Sequence, residues 1–190
     1  MNSRFVSSVR IARAVSVLRH GGVIAYPTEA VWGLGCDPFD RSAVQRILAM
    51  KRRRQGMGLI MVAADMAQLE PFLRGLSSQQ RHTLQESWPG PQTWLVPNNG
   101  VAPCWVSGGR DTLALRVTDH PVAAALCRAY GGPLISTSAN PHGRPAATSQ
   151  LKLALYFHGC LDAAVPGPLG GLEKPTPIKN LLTGETVRAG

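Results

Sequence analysis

The sequence predicts an α/β protein built on an open, twisted mixed sheet flanked by helices. Three observations carry this reading. Apolar runs of strand length alternate with segments whose apolar residues recur at helical spacing. Gly, Pro and capping residues punctuate most boundaries. No stretch has linker composition and none repeats, so the 190 residues read as a single domain, 1–190.

Ser8 to His20 is the first helix, with Ile11, Val15 and Leu18 on one face and Gly21 as a left-handed stop. VIAYP (23–27) is a short buried strand ended by Pro27, and YPTEAVWGLGCD (26–37) then turns Gly-rich. Ser42 to about Arg54 is the second helix; Ser42 and Gln45 form a capping box, and Val44, Ile47 and Leu48 face inward. LIMVAA (59–64) is a strand, Asp65 to Leu73 a short helix, and Ser77 to Trp88 a helix with a Ser77–Gln80 capping box. TWLVP (93–97) and LALRV (113–117) are strands. Asp119 caps a helix that has Pro121 near its start and ends at Gly131. PLIST (133–137) is a strand, Leu151 to Phe157 is helical, and IKNLLTGETVRAG closes as a hairpin around Thr183-Gly184.

Composition excludes several classes. No apolar run reaches the ~18 residues of a membrane span, and Met1 to Arg13 lacks the apolar middle of a secretory leader. A cytoplasmic protein with no membrane partner is expected. Cys36, Cys104, Cys127 and Cys160 form no C-x-x-C and read as free thiols. The histidines show no H-x-x-x-H, so no metal held by protein ligands alone is expected. The net charge of +9 favours a polyanionic partner, whether nucleotide or RNA. Yet G-x-x-x-x-G-K-[ST] and G-x-G-x-x-G are both absent, so a nucleotide must be held by other means.

Ligands of open α/β sheets gather at strand carboxyl ends. That rule draws attention to Pro27-Thr28-Glu29, to Arg116, to Ser136–Asn140 and to the stretch after Ile178. Each has two readings. KRRR (51–54) is either a solvated helix terminus or a phosphate clamp. Lys51 and Arg53 would diverge on a continuing helix, so a clamp requires the helix to end there. Arg116 is either an outer-face residue or a carboxylate ligand, with Thr112 on its side by strand alternation. The hydroxyls of LISTSAN (134–140) either cap a turn or face a ligand; parity puts Ser136 and Ser138 on one side and Thr137 on the other. Glu29 alone is weak evidence for a base, and no spacing ties a His to a nucleophile. Catalysis by positioning and electrostatic stabilisation fits better.

Six motifs in order, YPTEAVWGLGCD, MKRRR, WPGPQTW, LALRVTDHP, STSAN and TGETVRAG, together resemble the YrdC/TsaC family of threonylcarbamoyl-AMP synthases over nearly the whole chain. The resemblance implies an open twisted sheet with a positively charged concave face. It implies formation of threonylcarbamoyl-adenylate and pyrophosphate from L-threonine, bicarbonate and ATP, with Mg2+ arriving with ATP. The adenylate would pass to partners of the TsaB, TsaD and TsaE type that modify adenosine 37 of tRNA, and direct binding of tRNA or double-stranded RNA is a further implied property. By position, Lys51 and Arg53 would act on the ATP phosphates and carry catalysis. Thr112, Ser138, Asn140 and Arg188 would bind ATP; Thr28, Arg116, Ser136 and Thr176 would bind threonine. The chain departs from the family pattern at Arg54, Gly58-Leu59, Ala30 and Pro141-His142-Gly143.

Overall fold

In the computed structural model, residues 7–54 and 56–189 are described. Met1 to Val6, part of the segment read for a leader, and Gly190, the last residue of the closing motif, lie outside them. Helix α1 (Ser8–Arg19) buries Ile11, Ala14, Val15 and Leu18, the expected stripe. Strand β1 (Ile24–Pro27) follows, then β2 (Trp32–Gly35), which the sequence reading missed. Its WGLG composition is poor for a strand, since glycine has no side chain to pack. Here glycine is required: a Cβ on Gly35 would lie 2.7 Å from both the Ile135 carbonyl oxygen and Tyr26 Cε1.

Helix α2 (Arg41–Met50) is capped by Asp40, whose carboxylate accepts from the amides of Ser42 and Ala43. This corrects the expected Ser42 capping box; a carboxylate just upstream supplies the stronger acceptor, and the Ser42 hydroxyl donates to it as well. The helix also ends before Arg54: Lys51 is its C-cap and Arg52 turns left-handed, φ 50°. Strand β3 (Ile60–Ala63), a 3-10 turn at Ala67–Leu69, α3 (Glu70–Leu73) and α4 (Ser78–Ser87) come next. The Ser77–Gln80 capping box on α4 is formed as expected. Strand β4 (Thr93–Pro97), the short α5 (Cys104–Ser107) and β5 (Thr112–Val117) precede α6 (Pro121–Tyr130). Asp119 does not cap α6. The N-cap is His120, and the Thr118 hydroxyl accepts from its amide instead. Strand β6 (Leu134–Ser138), α7 (Gln150–Phe157), β7 (Ala163–Ala164), β8 (Ile178–Asn180) and β9 (Thr186–Arg188) complete the chain, the last two as the expected antiparallel hairpin.

Among the described residues nine strands form one mixed sheet in the order β7-β1-β2-β6-β3-β5-β4-β8-β9. Strand β6 joins its halves: Leu134 to Ser136 pair with β3, and Thr137 and Ser138 pair with β2, both antiparallel. One apolar core lies under α1 and α6 and includes Ile24, Tyr26, Val62 and Leu134. The larger core occupies the opposite parity, with Leu34, Met61, Leu115 and Ile135 packed against α2, Phe72, Leu84 and Trp94. No helix among the described residues is long and apolar enough to cross a membrane.

Candidate active site

Directly paired strand residues share a face of the sheet. The register therefore aligns Gly33 with Ser138, Ser136 with Ile60, Ile60 with Ala114, Val62 with Arg116, and Ala114 with Leu95. On this face α1 and α6 bury Ile24, Tyr26, Val62 and Leu134. Further along the same strands the face opens into a cavity of about 450 Å3. Thr28, Arg53, Thr112, Arg116, Ser136, Ser138, Asn140, Thr176 and Arg188 all line it, so nine residues picked from sequence converge on one concavity. Thr137 pairs with Leu34 of the larger core, the opposite parity that alternation predicts, yet it borders the cavity as well, so parity alone does not remove it from the wall. Lys51 stands apart from that lining. With Arg53, Ser138 and Asn140 it lines a smaller recess of about 180 Å3 next to the cavity.

At one end of the cavity, Arg116 and Glu29 form an ion pair, Nη2 to Oε2 3.1 Å, with each side chain only 6% exposed. Arg116 Nη1 donates to the Thr176 hydroxyl at 2.7 Å, and the Thr118 hydroxyl donates to Glu29 Oε1. Arg116 is thus neither an outer-face residue nor unpartnered; β5 presents it and β1's following turn neutralises it. That turn is held by its own bonds, since the Thr28 amide and hydroxyl both donate to the Val31 carbonyl, at 3.0 and 2.7 Å.

At the other end, and in the recess beside it, cations are aimed by neutral oxygens. The Lys51 ammonium donates to the Ser138 carbonyl, the Asn140 carbonyl (3.0 Å) and Asn140 Oδ1 (3.1 Å). Arg53 Nη2 donates to the carbonyls of Met57 (3.0 Å) and Gly58 (2.8 Å). Arg110 Nε reaches the Gly56 carbonyl, and Arg188 Nη2 the Thr176 carbonyl at 2.7 Å. None of these four is in a salt bridge among the described residues. Burial, then the charge of Arg53, brings the Lys51 ammonium down to about 8. Burial and the neighbouring charges of Arg110 and Arg188 likewise push the Arg53 guanidinium below its ordinary value. The S-x-N element is an interlocked loop: the Ser138 hydroxyl donates to Asn140 Oδ1 (2.7 Å), and Asn140 Nδ2 donates to the Arg144 carbonyl (2.6 Å).

The left-handed Arg52 explains how Lys51 and Arg53 serve one region. The helix stops at Met50 and the chain reverses, so two residues that would diverge on a helix meet around Ser138 and Asn140. In sequence Glu29 reads only as a weak candidate base, and Arg110 was missed as a site residue. Glu29 follows Thr28 at a strand's carboxyl end, which was a usable signal, but its partner Arg116 is remote in sequence. Arg110 sits in a loop with no pattern to mark it. Among the described residues, no group of three His, Cys, Asp or Glu could hold a metal ion.

Comparison with known proteins gives a consistent picture. The model of the Sua5/YciO/YrdC family, described as "Telomere recombination", matches residues 16–190. The threonylcarbamoyl-AMP synthase of Cellvibrio japonicus is 55% identical over 179 residues, covering 94% of this chain and 95% of that protein. Among solved structures, P. abyssi Sua5 complexed with L-threonine superposes with a TM-score of 0.86 at 31% identity, over 93% of this chain. This chain spans about half the length of that protein, 52%. E. coli YciO superposes with a TM-score of 0.80 at 26% identity, over 94% of this chain and 90% of that one.

Proposed function

Because this chain belongs to the Sua5/YciO/YrdC family, we propose that it is a threonylcarbamoyl-AMP synthase, acting in the cytoplasm. Its substrates are L-threonine, bicarbonate and ATP; its products are threonylcarbamoyl-adenylate and pyrophosphate. One observation carries the reading. One cavity joins a buried Arg116–Glu29 pair to cations that, among the described residues, no carboxylate cancels. The first end suits an amino acid and the second a polyphosphate.

The chemistry needs no covalent nucleophile. Threonine binds as the zwitterion; its ammonium gives up a proton to solvent, and the neutral amine adds to CO2 drawn from bicarbonate and releases a second proton to become a carbamate. A carbamate oxygen then bonds to the α-phosphorus of ATP, the bond to the bridging oxygen breaks, and pyrophosphate leaves. Arg116 holds the threonine carboxylate, with Thr28, Ser136 and Thr176 around the rest of the amino acid. Thr112, Ser138, Asn140 and Arg188 hold the nucleotide. Lys51 and Arg53 oppose the charge that grows on the phosphate oxygens, and Lys51 also ties down the loop that carries Ser138 and Asn140. Mg2+ enters with ATP as part of that substrate. The adenylate goes on to partners of the TsaB, TsaD and TsaE type for tRNA modification.

The test is direct. Incubated with labelled ATP and bicarbonate, the protein should release pyrophosphate only when threonine is present. Release that is indifferent to threonine would overturn the assignment.

A further inference from the structure

We infer that Glu29 is the acceptor for the ammonium group of the amino-acid substrate; the inference rests on the amino-acid reading of this end of the cavity. Glu29 lines the cavity and is buried. Its Oε1 is occupied by the Thr118 hydroxyl. Its Oε2 lies beside Arg116 Nη2, yet has no hydrogen-bond partner and almost no accessible surface, so a ligand meets it as the side chain turns toward the cavity. Arg116 Nε is in the same condition, a buried donor with no acceptor. Open hydrogen-bonding capacity of this kind is costly when buried. Here one charge pair carries both an open acceptor and an open donor. A zwitterionic α-amino acid is the ligand class that answers both, its carboxylate to the guanidinium and its ammonium to the carboxylate.

Two further facts favour a ligand over simple neutralisation of Arg116. Glu29 is the only carboxylate among the described residues lining the cavity. Its backbone is also clamped from outside: the amides of Gly170 and Leu172 donate to the Thr28 and Glu29 carbonyls, both at 3.0 Å. A Cβ on Gly170 would come within 2.8 Å of Glu29 Cα, so the segment seats against the turn only through glycine. A carboxylate fixed on both sides is preorganised for its ligand.

The experiment is calorimetric titration of the whole chain, in the presence of a non-hydrolysable ATP analogue. The ligands are L-threonine and the 2,3-dihydroxybutanoate that matches it with a hydroxyl in place of the amine. The wild type should prefer threonine by about tenfold or more. Glu29→Gln should lose about that factor for threonine and hold the dihydroxy acid as before, so the preference collapses. Thr118→Val, which frees Oε1 but keeps the carboxylate, should leave an intermediate preference. If Glu29→Gln weakens both ligands equally, Glu29 only orients Arg116 and the inference is wrong. A wild type that binds both ligands equally also overturns it, with no variant needed. A wild type that binds neither overturns the amino-acid reading itself.

Discussion

The two ends of the cavity handle positive charge in opposite ways. Arg116 meets a carboxylate, Glu29, inside the fold. At the other end and in the recess beside it, Lys51, Arg53 and Arg110 meet carbonyl or amide oxygens, and so does Arg188, which stands between the two ends on Thr176. A carboxylate partner cancels the charge, so a ligand there must bring both signs. Carbonyl dipoles aim a cation without cancelling it, so the field at the other end remains available to a polyanion. On the proposed function, one concavity would thereby receive a zwitterion at one end and a polyphosphate at the other.

The largest test of this contrast is Arg116→Met. It leaves Glu29 buried and unpaired, and should destabilise the protein by about 3–5 kcal/mol in denaturant unfolding. Replacing both members with Met should recover most of that loss, while threonine-dependent pyrophosphate release stays absent in both variants. A single variant as stable as the wild type would mean that the pair is not energetically closed as described.

Lys51→Met probes the other end. It strips donors from the Ser138 and Asn140 oxygens, and ATP affinity should fall about tenfold to hundredfold with threonine binding kept. The lysine gives this end a pH signature as well. Its ammonium titrates at about 8 because it is buried beside Arg53. Bound polyphosphate favours the charged form, so ATP binding above that pH takes up a proton, and binding at pH 7 does not. Titrations in buffers of contrasting ionisation enthalpy read this uptake. If Lys51→Met retains it, another group is responsible.

Gly33→Ala is the mildest probe. Its φ is not in the left-handed region, so the effect is spatial. The new Cβ would sit 3.1 Å from Thr28 Cγ2 and 3.6 Å from Ser136 Oγ, crowding only the amino-acid end. Threonine KM should rise by roughly threefold to tenfold, with that for ATP unchanged. Equal changes in both would blur the distinction between the ends.

Much of this was legible in the sequence, for reasons that differ by residue. Periodicity found α1, the Ser77–Gln80 capping box marked α4, and alternation put Thr112 beside Arg116 and Ser136 beside Ser138, because those signals are local. Strand β2 was not legible: its WGLG stretch is a strand only because β1 and β6 flank it. The cap of α2 was misplaced because Asp40 and Ser42 both suit the position and only geometry chooses between them. The site residues came from motif resemblance, which brings matching positions but not partnerships. That is why Glu29, standing next to Thr28, was passed over until its contact with Arg116 was visible.

The cavity wall runs from Thr28 to Arg188, and β4 finds its neighbour β8 only after α5, β5, α6, β6, α7 and β7 have intervened, Leu95 opposite Asn180. On a ribosome adding about 5–20 residues per second, this has a temporal consequence. Until the hairpin of β8 and β9 emerges and docks, one side of β4 has no strand partner and ATP has no complete berth. The nucleotide therefore cannot scaffold the growing chain. The hairpin is the clasp that shuts last, and shortening it would harm maturation of the nascent protein as well as catalysis.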